Sequence, residues 1–407
     1  MHILIIHQAF ASLDESGGTR HYEFASRLVQ HGHKVTIIAS PVSYITGKVG
    51  GKNRLRPARQ SPLPGLTILR TYTYAKLHKN FFARVLSFLS FMVSSFIAAM
   101  TLKDIDLVWG TSPPIFQGVT AWLVARIRRA PFIFEVRDLW PEFAVAVGVL
   151  KNPILIKASE WLEEFLYHRA DRVIVNSPGY IEHVSRRGAK WVEFIPNGAD
   201  PDMFAREVSG SNFRQQRRLM DKFIILYAGA HGLSNDLDVV LDACHLITRH
   251  KNILVMMVGD GKEKPRLEKR ANEMGLENIR FFPPVAKNEM ATVLAATDAC
   301  IAILKPITMY QTTYPNKVFD YMAAGKPIIL AIDGVIRKVV EDSGCGIFVQ
   351  PGSAEALANA MVDLANDPHK VMQMGNNGRQ SIQTSYNRNI IGEHLLNFFL
   401  EVGRNNG

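Results

Sequence analysis

The chain has 407 residues, 47% hydrophobic and 21% charged, with 47 Lys and Arg against 37 Asp and Glu for a formal charge of +10. That length holds two or three domains with their own cores, and the composition excludes a disordered, low-complexity or solenoid chain. The positive excess asks for an anionic partner, and without a zinc finger, an RNP-type aromatic motif or a basic helix running into heptads, nucleic acid is excluded in favour of a phosphorylated ligand or an acidic membrane surface.

The apolar run His2 to His7 (HILIIH) reads as a buried first strand, too short and too unflanked for a secretory signal. A Gly-containing loop follows at Ser16 to Thr19 (SGGT), then a stretch with Tyr22, Ala25, Leu28 and Val29 at helical spacing, then a second strand from Lys34 (KVTIIAS). This is a βαβ unit.

Val85 to Leu102 is eighteen residues without a charge, between Lys76, Lys79, Arg84 and Lys103. It is long enough to be weighed as a membrane segment. Its place before the strand-like DLVWG (Asp106 to Gly110), and its four serines Ser87, Ser90, Ser94 and Ser95, favour a helix docked on the first domain, with shallow monotopic insertion as the alternative.

Further apolar runs at Pro131 to Val136, Arg172 to Ser177 and Trp191 to Gly198 complete a parallel sheet with crossover helices. The polar stretch Ala205 to Lys222 reads as a linker, after which the pattern restarts with strands at Phe223 to Gly229, Ile253 to Gly259, Ile279 to Val285, Ala299 to Leu304, Pro327 to Ile332 and Gly346 to Gln350. The expected fold class is α/β: two Rossmann-like, doubly wound domains facing across a cleft, with an N-terminal domain over 1–204 and a C-terminal domain over 205–384. Cys244, Cys300 and Cys345 are odd in number, lack CxxC spacing and lie in apolar stretches, so they read as buried thiols of a cytoplasmic protein.

With these motifs in place the sequence resembles the retaining glycosyltransferases of family 4, whose fold is GT-B. The resemblance runs the length of the chain. It is carried by SGGTRHYEFASRLVQHGHKVTI, EFIPNGADPDMF (Glu193 to Phe204), VGDGKEKPRLEKRA from Val258 and, above all, PNKVFDYMAAGKP (Pro315 to Pro327). EVRDLWPE (Glu135 to Glu142) followed by GVLKNP resembles the transferases of bacterial surface-polysaccharide assembly, of the O-antigen, capsule or colanic-acid type. The resemblance implies a nucleotide-diphosphate sugar donor, UDP-linked or alternatively GDP-linked, and a saccharide or polyprenyl-diphosphate-linked saccharide acceptor. It also implies that the last segment, 385–407, crosses back to the N-terminal domain as a helix.

The candidate site residues follow. Gly17 and Gly18, between first strand and helix, either admit a ligand to backbone N–H groups or make a tight turn. Gly229, His231 and Gly232 repeat that loop in the second domain, but His231 stands where the family has Arg, and the family's following Lys is missing as well. Lys317 is the leading candidate to supply that charge, with Arg266 and Lys262 behind it. Asp320 matches the second Glu of the family's Glu-x7-Glu motif and would accept the ribose hydroxyls, while the first Glu is replaced by Thr312. At i and i+3, Lys317 and Asp320 could both face the nucleotide beside Asn316, and Pro284 and Val285 lie where the family reads the base.

In the first domain, Arg137 stands where many members have His. It could stabilise the leaving diphosphate or the acceptor, leaving Asp138 to receive or orient the acceptor hydroxyl; the alternatives for Asp138 are a helix cap or a buried pair with Arg137. The D-x-D strings at Asp104, Asp200 and Asp236 precede a strand, follow the junction and open a helix, so no metal and no other cofactor is expected. The positive charge favours an anionic inner-membrane surface as a partner, with the protein peripheral on its cytoplasmic side. A nucleotide-sugar epimerase, or a catalytically silent nucleotide-sugar-binding partner, remain the alternatives.

Overall fold

The computed structural model describes residues 1–404 except 45, 52, 77, 78 and 206. The chain forms two compact units: Met1–Ser12, Gly17–Pro196 and Asn389–Gly407 make the first, Leu13–Ser16 and Asn197–Arg388 the second.

In the first unit the chain runs β1 (His2–Ile6), α1 (Arg20–Gln30), β2 (Lys34–Ala39), β3 (Ala58–Leu63), β4 (Leu66–Arg70), α2 (Phe81–Met100), β5 (Leu107–Ser112) and α3 (Phe116–Arg128). It continues with β6 (Phe132–Val136), α4 (Glu142–Ala146), α5 (Pro153–Arg169), β7 (Arg172–Val175), α6 (Ile181–Arg186) and β8 (Val192–Phe194). Helix boundaries follow local chemistry: α5 starts where the Asn152 side chain accepts from the Ile154 and Leu155 N–H groups, with Pro153 in the first turn where no donor is needed.

The strands form one sheet in the order β3-β4-β2-β1-β5-β6-β7-β8. Only β3 is antiparallel, paired to β4 through Pro64 and Gly65. The strand order reverses at β1, which lies between β2 and β5, and ligands of open α/β sheets bind beyond the strand ends at such a point. Strand alternation sends Leu107 and Trp109 to the core on one face and Gly110 to the other, where an added Cβ would lie 2.5 Å from the Cβ of Ala121 on α3.

The second unit runs α7 (Ser211–Gln216), β9 (Phe223–Ala228), α8 (Leu237–Leu246), β10 (Ile253–Val258), α9 (Lys264–Glu273), β11 (Ile279–Phe282), α10 (Lys287–Ala295) and β12 (Ala299–Ile303). It ends with α11 (Asn316–Ala323), β13 (Ile328–Ala331), α12 (Val335–Ser343), β14 (Gly346–Phe348), α13 (Ala354–Asn366) and α14 (Pro368–Thr384). Its sheet is parallel throughout, in the order β11-β10-β9-β12-β13-β14, and reverses at β9. All three cysteines are buried free thiols.

The last helix, α15 (Arg388–Arg404), packs in the first unit, placing Leu395, Phe399 and Val402 against Phe24, Trp109 and Ile195. Two expected boundaries differ. The units divide after Pro196 and after Arg388 rather than at 204 and 384, because Ala199 and Phe204 are buried in the second unit's core and the Ala199 backbone pairs with Tyr386 and Arg388. The supposed linker belongs to the second unit: Arg214 of α7 bonds to the carbonyls of Ala296 and Lys222 and to Asp298 at 2.7 Å. Of the predicted C-terminal segment, 405–407 lie outside the described residues.

Candidate active site

At the carboxyl end of β9 the chain enters a loop in which Gly229 takes a backbone conformation that side chains rarely adopt. Gly229 has φ +148°, and a Cβ there would lie 2.8 Å from Nζ of Lys317. At Gly259, at the end of β10, a Cβ would collide with the Gly229 carbonyl, so the two loops approach backbone to backbone. Gly232 faces open space apart from the Asn235 amide at 3.7 Å.

Lys317 comes from the first turn of α11, whose N-cap is Pro315 and whose leading N–H groups take no side-chain cap. Its ammonium lies 4.0 Å from the centroid of the Tyr227 ring and, among the described residues, pairs with no carboxylate. Loss of hydration lowers its pKa to about 7. His231 is fully buried under the same loops; neither ring nitrogen has a partner among the described residues. Burial first, then the charges of Lys264 and Lys317, lower its pKa to about 4, so it is neutral at physiological pH. Lys264 fixes the neighbouring loop by donating to the carbonyls of Gly259 at 2.9 Å and Phe282 at 2.7 Å.

Lys317 and Asp320 share α11 but do not work on one another. Lys287, at the start of α10, gives Asp320 a hydrogen bond of 2.6 Å, and the Asn316 amide approaches the same oxygen at 3.4 Å. Both members of the Lys287–Asp320 pair are largely buried, so this ion pair fixes the carboxylate. Asn316 in turn accepts from Arg388 at 3.2 Å, and Asn197 of the PNG motif donates to the Tyr314 carbonyl at 2.7 Å, which ties the junction motif to α11.

The remaining donor-side candidates scatter. Arg266 is on the exposed side of α9, bidentate to Asp238 at 2.9 and 2.5 Å and bonded to Glu263 at 2.8 Å, which leaves it on a surface network rather than at the glycine loop. Lys262 is exposed. Thr312 donates its hydroxyl to the Met309 carbonyl at 2.7 Å, ending a 3-10 turn. Pro284 is half-buried after β11, and Val285 packs on the core.

In the first unit Gly17 is required by packing, since a Cβ would lie 2.8 Å from that of Ala11, whereas Gly18 has nothing within 4 Å. Behind them is a buried set the sequence reading missed. Glu135, next to last in β6, accepts from Nε of Arg20 at 2.9 Å and bonds Nε2 of His21 at 2.5 Å. Burial opposes ionisation of Glu135, but the charges of His21 and Arg20 outweigh it and hold the pKa at about 2. His7, one residue beyond β1, is fully buried and its ring lies tilted against that of His21, with centroids 4.3 Å apart. The signal for this set was the charged residues inside otherwise apolar strand and helix positions.

Arg137 turns back over the end of β5, donating to the carbonyls of Ser112 at 3.3 Å and Pro113 at 3.2 Å. Asp138, half-buried beside it, forms no ion pair with Arg137 among the described residues, and the N-cap of α4 is Pro141. Burial raises the Asp138 pKa to about 6 against the opposing charge of Arg137, which leaves a carboxylate able to take a proton near neutrality. Among the described residues, no three His, Cys, Asp or Glu gather as a metal site.

Two Rossmann-like parallel sheets, each reversing at a strand that carries a glycine-bearing loop, define the GT-B fold. The profile described as "Glycosyl transferase 4-like domain" matches residues 17–198, and "Glycosyl transferases group 1" matches residues 209–381. The chain therefore belongs to the family 4 type of GT-B glycosyltransferases. It is 26% identical over 349 residues to the colanic acid biosynthesis glycosyl transferase WcaI of Escherichia coli K12, covering 82% of this chain and 85% of that one. Sucrose-phosphate synthase of Thermosynechococcus elongatus shares the fold with a TM-score of 0.77 at 19% identity, over 98% of both chains. The Anabaena protein HepE, solved with UDP-glucose, shares it at 0.70 and 15% identity, over 98% of this chain and all of that one.

Proposed function

We propose that this glycosyltransferase is a retaining enzyme that moves a hexosyl or N-acetylhexosaminyl group from a nucleoside diphosphate, with UDP favoured over GDP. The acceptor is a saccharide or a polyprenyl-diphosphate-linked saccharide of bacterial surface-polysaccharide assembly. The observation that carries the reading is Lys317: a cation with no carboxylate partner among the described residues, set against Gly229 at the strand-order reversal of the second sheet. The helix start of α11 and the open backbone at Gly232 add N–H groups for the same diphosphate. HepE, of the same fold, was solved with UDP-glucose, which supports a UDP-sugar donor, and WcaI is named for colanic acid biosynthesis, which supports a place in surface-polysaccharide assembly.

In this reading the bond from the anomeric carbon to the diphosphate oxygen breaks, its electron pair leaves on the diphosphate, and Lys317 stabilises that charge. The acceptor oxygen attacks from the same face, and Asp138 takes or orients its proton. His231, neutral and buried, shapes the glycine loops without adding charge. The reaction proceeds without a metal ion, because the cation and the helix start supply the positive potential, so EDTA leaves turnover unchanged.

The test is to incubate the purified protein with candidate nucleotide sugars and a polyprenyl-diphosphate saccharide, reading nucleoside diphosphate release and, by NMR, the anomeric configuration of the product. Release with retention is expected. Lys317→Ala weakens donor binding by ten-fold or more, corresponding to about 1.4 kcal/mol, whereas Lys262→Ala changes it little. Equal small effects would overturn the role of Lys317, and no release with any donor would overturn the reading.

A further inference from the structure

α2 is 20 residues long and apolar enough to cross a membrane by length and composition, but the structure docks it along the first unit. Its serines face inward: Ser94 donates to the Tyr72 carbonyl at 2.6 Å, and Ser90 accepts from the Tyr74 N–H at 2.8 Å. Thr120 of α3 donates to the Met92 carbonyl at 3.1 Å, and Arg128 closes the far end on the carbonyls of Met100 and Leu102, both at 2.7 Å. A helix held this way through its middle and at its C-terminal end is docked on the unit rather than free to span a bilayer.

The opposite side of α2 is the unusual one. Phe82, Leu86, Leu89, Val93 and Ile97 are 81, 49, 39, 57 and 61% exposed. Their spacing of 4, 3, 4 and 4 residues keeps all five within an arc of about 80°. No charge lies between Val85 and Leu102. The layer continues onto α3, which packs beside α2, with Ile127 at 54% exposure, and onto α5, with Trp161 at 65%. Singly exposed apolar residues are ordinary; an aligned stripe of five extending over neighbouring helices marks a docking surface.

Charge selects the occupant. Exposed basic side chains flank the stripe, with Lys76 and Lys79 before α2, Lys103 after it, and Arg126 and Arg129 at the end of α3; α2 and α3 contain no acidic residue, and the exposed carboxylates Asp104, Asp106 and Glu164 lie beyond them. An apolar stripe with a basic rim matches the interface of an anionic bilayer, with hydrocarbon beneath and phosphate at the edge.

One end of α2 lies towards Asp138. Burial raises the Tyr44 pKa, with Arg84 in the first turn of α2 and Arg137 lowering it and Asp138 raising it. An aromatic chain makes the same connection: Phe88 of α2 lies 5.8 Å from Phe116 of α3, which lies 6.3 Å from Trp140, two residues after Asp138.

We infer that the exposed stripe of α2 lies on an anionic bilayer leaflet as a monotopic surface, so that the Arg84 and Tyr44 end sits at headgroup level and receives the diphosphate of a lipid-linked acceptor beside Asp138. Its purpose rests on the lipid-linked acceptor proposed above, but docking is measured without donor or acceptor, so the two readings fail separately.

The experiment is co-sedimentation of the full chain with vesicles of phosphatidylcholine alone or mixed with phosphatidylglycerol. The protein is expected to bind the mixed vesicles and to be released as salt rises. Leu86→Glu/Val93→Glu, and independently Ile97→Glu, lower the partition coefficient at least ten-fold with an unchanged circular dichroism spectrum; Ile390→Glu, equally exposed but on α15, leaves it unaltered. Failure to bind mixed vesicles at low salt, or wild-type partition in both stripe variants, would overturn the inference. So would a stable dimer in vesicle-free solution that the stripe variants dissociate, because the stripe would then be a contact between copies.

Discussion

Lys317 shows how a residue proposed for binding costs stability. Its pKa falls from 10.5 in the unfolded chain to about 7 in the folded one. For a lowered value the stabilising contribution is present above pH 10.5 and is lost as pH falls through 7, so the ligand-free protein carries the full penalty below neutrality. Lys317→Met should therefore raise ligand-free stability at pH 6 by about 1–3 kcal/mol, with the gain shrinking towards pH 10.5, while donor binding collapses. Thermal denaturation across that pH range, paired with nucleotide titration, checks both halves; a destabilised Met variant at pH 6 would contradict the assignment. Asp138 gives a second pH signature. With its pKa at about 6, the carboxylate is lost on acidification, so turnover of the wild type falls as pH drops through 6. Asp138→Asn should abolish that limb and lower kcat more than donor affinity, as a pH–rate profile with a soluble acceptor would show.

At the scale of elements, the helices beside the first sheet depend on small residues where they cross strands. Gly110 of β5 meets α3 so closely that a Cβ would lie 2.5 Å from that of Ala121 and 3.3 Å from the Phe132 ring. Gly110→Ala should cost about 1–3 kcal/mol by overpacking, measurable as a lower urea midpoint with an unchanged slope. The strand and helix pattern of this layer was legible because parallel strands buried on both faces leave continuous apolar runs, as in β5, β6 and β7. The β3–β4 hairpin was not. β3 (ARQSPL) is largely exposed, contains Pro62 and shows no alternation, so it resembles a loop until β4 offers it a partner. The basic stretch before β9 was misleading in the same way, because Arg214 is held by backbone carbonyls and Asp298, partners that no periodicity reveals.

At the scale of the molecule, the first unit is built from both ends of the chain. Ile391, Leu395, Leu396, Phe398, Phe399 and Val402 of α15 are buried in its core. At about 1.5–3 kcal/mol for each fully buried apolar side chain, their removal costs about as much as the 5–15 kcal/mol that stabilises a typical domain. A chain ending at Arg388 should lose the first unit's cooperative transition in calorimetry and keep that of the second, whose residues stop there. Two intact transitions in the truncated chain would show that α15 is dispensable.

The sequence by itself determined the two α/β units, the glycine loops, the family and the candidacy of Lys317, because each leaves a local trace: continuous apolar runs, Gly next to a strand end, a motif within thirteen residues. Only the tertiary structure decided what the charged groups do. Asp320 is claimed by Lys287, 33 positions away, and Glu135 by Arg20 and His21, 115 and 114 away. Arg266, which local pattern allowed at the loop, is held on the surface by Asp238. The physical reason is that parallel strands bring their carboxyl ends together from distant parts of the chain. An ion pair formed there depends on which strands are neighbours, and that order is set by packing of the whole sheet rather than by spacing along the sequence.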